Sequence, residues 1–499
     1  MRPIRRLRSK VADRPLWAWA LAAVVACCGM GTYLVFSPGF LSGDSISQLE
    51  QALGTQPMHD WHPPVMALLW RALIDVTGTP AAMAALQSAV LWAALWVVAW
   101  RVWARTGNRA GSLAVLAIGL APHIMNFSGV VWKDVHMAFA LLAACAIVFV
   151  AQSLPADRSR TRWVLLVLGV LFIGYAILVR KNALLAGIPV FILLVRAMWP
   201  APGRRRWLIS TGALVAVIAV MSTVVSVVAK PAETRQYAQV MLDDLVHVLP
   251  VEEVRKAAGE AATTPDFQNN MVTTTQRCMA QGTRKEKLSD AYFECYPRDL
   301  ALGPLADYAD QLTSMWLSEI PRHLPQYAQY RLQVFTHQLF QGRYQFQNSR
   351  MDVPGIDAPD VRRKAMLSYY VLGSYRDMPL LFAGWFWLAV GFVMAIWPGR
   401  GPFRMLVRAM GISSVLYILG YLPTSPASDY RYVYWPALAG TLCLLLVWLG
   451  RTRTPLAAVP DPAPADREQP RGSKQAGADA GDDAGAGAGD DARSVQPAG

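Results

Sequence analysis

Apolar residues in this chain gather into runs of about twenty, separated by short basic or polar stretches. A helix needs roughly 20 apolar residues to cross a hydrocarbon layer. Backbone in lipid satisfies its hydrogen bonds within its own segment, so such runs predict helices. The first run is Leu16–Phe36. Later ones are Pro80–Trp103, Ala110–Ser128, Val135–Ser153, Arg162–Val179, Ala183–Trp199, Trp207–Ala229, Pro379–Pro398, Arg404–Leu422 and Tyr432–Leu449. The pattern predicts an all-α polytopic membrane protein with about ten transmembrane helices and a mostly helical extracytoplasmic insert.

Two shorter patterns lie between the first two runs. Ile46, Leu49 and Leu53 share one helical face, and Val65, Leu68, Leu69, Ala72, Leu73 and Val76 share another. Arg71 and Asp75 make the second too polar to span, so both are expected along the outer membrane surface. Val24-Val25-Ala26-Cys27 has the form of a lipoprotein cleavage box, but apolar residues continue past Cys27. Leu16–Phe36 is therefore expected to be an uncleaved anchor.

Composition agrees with this class. The 499 residues are 54% hydrophobic and 16% charged, against about a quarter charged in soluble proteins. A net charge of +13 would suit nucleic acid, but its placement excludes that reading. Arg101, Arg105 and Arg109 share one loop, and Arg158, Arg160 and Arg162 another. Arg204–Arg206, then Arg400, Arg404 and Arg408, then Arg451 and Arg453 follow in alternate loops. The opposite loops hold few cations: Lys133, Arg180, Lys181 and Arg431. That asymmetry predicts cytoplasmic termini.

The chain divides into an N-terminal transmembrane module (1–229), an extracytoplasmic domain (230–378), C-terminal transmembrane helices (379–450) and a tail (451–499). The domain carries helical stretches such as Ala306–Phe340 and breakers at Asp352-Val353-Pro354-Gly355. The tail, from Pro455 on, is Ala, Gly, Asp and Pro, cannot bury a core and is expected to be disordered. Cys278 and Cys295 are the two cysteines of the outer domain, and an oxidising compartment permits a bridge between them.

Candidate chemistry lies in the outer loops. Asp44 follows the first span, where it reads either as a helix N-cap or as a carboxylate at the membrane surface. Lys133 and Asp134 begin the Val135 run, Arg180 and Lys181 end another, and Arg431 precedes the last. Tyr430, Tyr432, Tyr434 and Trp435 also suit an interfacial aromatic belt. Acids and cations at one depth can hold a lipid phosphate while a carboxylate acts on a hydroxyl. His59, Asp60 and His62 could bind a divalent ion, although a tight Trp-His-Pro-Pro turn also accounts for them.

The basic N-terminus, Pro38-Gly39, Asp44-Ser45, Asp60-Trp61-His62-Pro63-Pro64 and Trp132-Lys133-Asp134 follow one another in an order that resembles the GT-C class of membrane glycosyltransferases. The chain is similar to bacterial protein O-mannosyltransferases and lipid A aminoarabinose transferase-like proteins. The stretch Trp316–Phe335, with Ile320, Pro325, Tyr327 and Arg331, is also similar to a segment of their outer domain. The resemblance runs from Met1 to about Gly450.

It implies a polyprenyl-phosphate-linked sugar donor and transfer, with inversion, to a glycan, lipid or protein acceptor outside a bacterial inner membrane. It implies a catalytic role for Asp44, with Asp134 orienting or assisting, and donor-phosphate binding by Lys133, Arg180, Lys181 and Arg431. Many relatives carry two adjacent acids where this chain has Asp44-Ser45, so metal dependence stays open. Two rivals remain. An O-antigen polymerase or ligase would place arginines in large outer loops. A lipid-linked sugar flippase would show charges within spans and inverted symmetry.

Overall fold

The computed structural model describes residues 2–154, 158–199, 201–262, 265–280, 291–296, 305–340, 360–425 and 427–451. Among them the chain is helical, with two isolated β-bridges, Phe40 to Val130 and His59 to Ala232. In chain order the helices are α1 (Arg2–Phe36), α2 (Gly43–Leu53), α3 (Pro64–Thr77), α4 (Ala82–Thr106), α5 (Arg109–Ala117), α6 (Pro122–Ser128), α7 (Lys133–Ala151), α8 (Ser159–Val179), α9 (Ala183–Met198) and α10 (Arg204–Ala229). Then come α11 (Tyr237–Val248), α12 (Val251–Ala261), α13 (Pro265–Ala280), α14 (Ala291–Glu294), α15 (Ala309–Glu319), α16 (Leu324–Phe340), α17 (Val361–Asp377), α18 (Gly384–Ile396), α19 (Arg404–Leu419) and α20 (Tyr434–Arg451).

Every predicted apolar run contains helix, but not every run is an unbroken span. Six segments are long and apolar enough to cross a membrane, ending with Tyr430–Arg451, and a bent pair makes a possible seventh. That pair is Arg109–Leu120 with Pro122–Ser128, bent by 53°. The cause is local. A residue before proline is pushed out of the helical region, and Ala121 has ψ 137°. Helices α9 and α18 are apolar but shorter, and α19 has 16 residues starting at Arg404. The expected stretch Ala306–Phe340 is likewise divided by a 3-10 turn at Ile320–His323, at Pro321. The Asp352–Gly355 breaker and the tail from Pro455 lie outside the described residues.

Helix α7 is the hub. It packs against α4, α8, α9 and α20, and its side chains are buried almost all round. Helix α10 is the opposite: Ser210 is its one buried residue, while Leu208, Val215, Val220 and Val227 are exposed. A helix apolar all round yet uncovered faces lipid. Glycines allow close crossings where the packing is tightest. A Cβ on Gly411 would lie 2.7 Å from the Ala395 nitrogen, so α18 and α19 meet backbone to backbone. A Cβ on Gly129 would overlap the Phe36 ring, which fixes the end of α1 against the loop before α7.

A second apolar core gathers α11 to α16, with Leu242, Leu245, Val254, Phe267, Leu312 and Met315 buried in it. Cys278 and Cys295 are disulfide-bonded there, with Cα atoms 5.2 Å apart. Helix α16 joins this core to the main one, because Val334 belongs to the second cluster and Phe335 and Leu339 to the main cluster.

Candidate active site

Helix α2 begins with a capping box in which Ser42, not Asp44, caps the end, exchanging hydrogen bonds with Ser45. The N-cap reading of Asp44 is thus corrected, and its carboxylate is left for another partner. The reason is register: Ser42 and Ser45 stand at N-cap and N3, and Asp44 lies between them in the first turn. Ser45 Oγ also donates to the Val131 carbonyl at 2.8 Å, and Trp132 Nε1 donates to Ser42 Oγ at 2.6 Å. Backbone bonds from Phe40 N to Gly129 O and from Val131 N to Phe40 O complete the seam. The loop after α1 is thereby stitched to the segment that starts α7, which places Asp44 beside Lys133.

Arg431 Nη1 donates to Asp44 Oδ2 at 2.7 Å, and its Nε lies 3.0 Å from Asp429 Oδ2. Its guanidinium stands over the rings of Trp132 and Tyr432, 5.2 and 5.4 Å from their centroids. A second ion pair lies alongside. Arg180 Nη1 is 2.9 Å from both oxygens of the buried Asp134. Arg180 Nε donates to the Tyr421 hydroxyl at 2.8 Å, and its guanidinium sits 4.6 Å from the Tyr432 centroid. Tyr432, stacked on Tyr421 at 4.8 Å, is therefore shared by both arginines. Lys133 has Asp44, Arg180, Arg431 and Asp134 as electrostatic neighbours. It makes no hydrogen bond or ion pair with any described residue.

The cluster holds three carboxylates (Asp44, Asp134, Asp429) against three cations (Lys133, Arg180, Arg431). Burial alone would raise the Asp44 carboxyl. Arg431 and Lys133 outweigh it and hold Asp44 well below the usual carboxylate range, so it is ionised at neutral pH. His62 is also a neighbour. Its imidazole is 5% exposed, and burial, reinforced by Lys133, pushes it down to about 3. It therefore faces the cluster as a neutral ring whose buried Nδ1 has no partner.

The remaining predicted residues do other things. Asp60 accepts from the Thr234 amide at 2.6 Å and from its hydroxyl, and the Asp60 amide donates to the Ala232 carbonyl. His59 lies 3.1 Å from the Gln51 side chain through Nε2. Asp60 ties the turn before α3 to the chain leaving α10, and His59 ties it to α2. Among the described residues no group of three or more His, Cys, Asp or Glu is arranged to hold a metal ion. Lys181 is exposed in the turn between α8 and α9 and takes no part in the ion-paired cluster.

The aromatic-belt reading is corrected. Tyr430, Tyr432, Tyr434 and Trp435 are all buried. Three of them have internal hydrogen-bond partners: Tyr430 OH donates to Leu381 O, Tyr434 OH to Ile124 O, and Trp435 Nε1 to Ser413 Oγ. Sequence reasoning gave no role to Asp429, Tyr421 or Ser42. Asp429, two residues before Arg431, was the one with a visible signal.

Chemically, each arginine is half committed. Among the described residues, Arg431 and Arg180 present a carboxylate-bound edge and have no partner at Nη2, and the ammonium of Lys133 has all three donors open. An anion entering here meets fixed cations whose orientation is set by carboxylates and aromatic faces.

No family model and no curated protein matches the chain. Solved structures that it resembles include ArnT from Cupriavidus metallidurans bound to undecaprenyl phosphate, at 16% identity and TM-score 0.33, covering 86% of this chain and 76% of that one. The archaeal oligosaccharyltransferase AglB from Archaeoglobus fulgidus, in complex with an inhibitory peptide and a dolichol-phosphate, is similar at 13% identity and TM-score 0.38, covering 87% of this chain and 50% of that one. ArnT in the apo state is similar at 14% identity and TM-score 0.32, covering 87% of this chain and 77% of that one. At such low TM-scores no residue of this chain takes a role from them.

Proposed function

We propose that this chain is a GT-C-type membrane glycosyltransferase that moves a sugar from a polyprenyl-phosphate donor to an acceptor hydroxyl on the extracytoplasmic side. The observation that carries the reading is Lys133, a cation without an ion-pair partner among the described residues, set beside the Asp44–Arg431 pair. A lipid phosphate on Lys133 and the open Nη2 edges of Arg180 and Arg431 would present its anomeric carbon toward Asp44.

The acceptor oxygen attacks that carbon, and the carbon–oxygen bond to phosphate breaks. The hydroxyl proton passes to Asp44, and the lipid phosphate leaves with the bond's electron pair. The configuration inverts. Fixed cations stabilise the charge growing on the leaving phosphate, and the carboxylate acts as general base. Asp44 is weakly basic while Arg431 and Lys133 face it. An incoming phosphate offsets those cations and raises its basicity when the substrate is present. Asp134 acts at one remove by holding Arg180.

The charge asymmetry of the loops supports ten crossings, cytoplasmic termini and a bacterial inner-membrane location, with residues 230–378 outside. The biological setting that fits is cell-envelope glycan modification. Lipid and glycan mass spectrometry of cells with the native chain, without it, and with Asp44→Asn tests the proposal. The expected result is one envelope component losing a sugar mass in both deficient strains while its lipid-linked donor accumulates. Unchanged glycans together with a lipid-linked sugar stranded on the inner leaflet would overturn it in favour of a flippase.

A further inference from the structure

A second cationic site lies at the other end of α7. A cavity of about 650 Å³ is lined by Gln152, Arg162, Leu193, Arg196, Trp207 and Met405, with further apolar residues between them. No carboxylate lines it among the described residues. Arg162 donates to the Met198 carbonyl and, at 3.0 Å, to the Leu154 carbonyl, while its buried Nε has no partner. Arg196 is exposed, with no ion pair to any described residue. Arg105 points its Nη2 at Gln152 Oε1, 3.2 Å away, and likewise has no described carboxylate partner. Across 152–163 and 196–207 the sequence places seven arginines against one acid, Asp157.

Its position is fixed by α7. Lys133 opens that helix in the Asp44 cluster, and Ala151 closes it in the wall of the cavity. A 19-residue helix rises about 28 Å, close to the roughly 30 Å of a hydrocarbon layer. The cavity therefore sits at the opposite membrane boundary from Asp44. Its wall is also amphipathic. Leu193, Ala197, Met405 and Trp207 supply apolar surface, and Ile188 and Ile192 of α9 are exposed on the same helix that carries Arg196.

Snorkelling explains an arginine that reaches a headgroup layer from a helix surface. It does not explain a concave space between α7, α8, α9, α10 and α19 where two guanidinium groups meet no counter-charge among the described residues. The helix C-termini that Arg162 caps offset only part of its charge. We propose that this cavity binds a phosphate anion, supplied by the headgroup of an anionic membrane lipid, at the face opposite the candidate active site. The site is separate from the donor site and does not depend on the glycosyl-transfer reading.

The test uses the full-length protein in neutral detergent, with binding read by native mass spectrometry. The probes are phosphatidylglycerol, phosphatidylcholine and inorganic phosphate. Phosphatidylglycerol should bind at least tenfold more tightly than phosphatidylcholine. Arg196→Gln, at an exposed position that leaves folding intact, should reduce that preference several-fold. Arg162→Gln should abolish it. Inorganic phosphate that competes at the lipid's own concentration, with the same Arg196 dependence, would keep the anion site but assign it to a soluble ligand. Equal binding of the two lipids, or insensitivity to both arginine changes, would overturn the proposal.

Discussion

Arg431 donates to the Asp44 carboxylate at 2.7 Å across 387 residues of sequence, joining the loop after the first span to the start of the last one. The pair is 34% exposed at Asp44 and 19% at Arg431, so it is desolvated yet reachable from one side. A carboxylate so placed can serve the chemistry without being needed for the helix it sits on, because Ser42 and Ser45 already cap α2. Asp44→Asn keeps size and a hydrogen-bond acceptor but cannot take a proton at neutral pH. Turnover should fall roughly 100-fold or more, with the thermal midpoint changed little. A folded, fully active Asp44→Asn would remove Asp44 from the mechanism.

Lys133 and Arg180 should separate in kinetics. Lys133 has no ion pair to lose, so Lys133→Ala should raise the KM for the lipid donor by about tenfold, the value of one charge-assisted contact. Arg180 holds the buried Asp134, so Arg180→Ala leaves a carboxylate stranded and should cost about 3–5 kcal/mol of stability. Arg180→Ala/Asp134→Ala removes both charges and should recover much of that loss without recovering donor use. Calorimetry and donor titration on the three variants check this. An Arg180→Ala protein as stable as the native chain would contradict the pairing.

Five of the cluster's six charges were legible: Lys133, Arg180 and Arg431 because the short loops on that side hold so few cations, and Asp44 and Asp134 because each stands at the edge of an apolar run. Their pairing was not legible. Nothing in local sequence links Arg180 to Tyr421, 241 positions away, or tells Lys181, which stays exposed, from its neighbour. Position along a helix was readable and rotation about it was not, since a span's rotation is set by packing against its neighbours. That is also why Tyr430, Tyr432, Tyr434 and Trp435 looked interfacial while lying inside the bundle. The break at Pro122 did carry a local signal, but the continuous hydropathy of residues 110–128 masked it.

Topology is the most direct test of where the site faces. Reporter fusions after Pro200 and after Ala229 should report the cytoplasmic and outer sides respectively, given the arginines at 204–206. A cytoplasmic signal at Ala229 would sink the extracytoplasmic placement of both the insert and the Asp44 cluster.

The Cys278–Cys295 disulfide closes a loop with a sequence separation of 17. Loop-closure entropy of that size corresponds to about 3 kcal/mol, an entropic reading that is model-dependent. Cys278→Ser/Cys295→Ser should therefore lower the stability of the α11–α16 core by about that amount. Non-reducing peptide mapping of the native chain should find the two cysteines joined, and free thiols at both would contradict the bridge.

The α11–α16 core should also respond to pH through one carboxyl group. Asp243 and Asp244 are both 1% exposed, and one guanidinium, Arg331, serves the two. Arg331 Nε lies 2.6 Å from Asp244 Oδ1, and Trp316 Nε1 donates to Asp244 Oδ2 at 2.8 Å. Asp243 accepts instead from the Tyr330 hydroxyl at 2.6 Å. Burial pushes the Asp244 carboxyl up to about 6, with Arg331 and the Trp316 hydrogen bond offsetting only part of it. A raised folded-state value means the folded chain holds this proton more tightly than the unfolded one. The stabilisation is fully present below the ordinary value of about 3.9 and is lost as pH rises through about 6. Lowering the pH from 7.5 to 5 should therefore raise the thermal midpoint of the native chain relative to Asp244→Asn, which cannot take up that proton. Taking the difference between the two proteins cancels the titrating groups that do not touch this Asp243–Asp244–Arg331 cluster. Arg331 also donates to the Ser425 carbonyl at 3.0 Å, at the start of the loop that delivers Arg431. Donor binding should therefore weaken in Arg331→Met more than its loss of stability accounts for, with Arg331→Lys recovering part of it. Parallel midpoint-versus-pH curves for the native chain and Asp244→Asn would show that Asp244 stays ionised throughout, and the link from this core to the site would then rest on Arg331 alone.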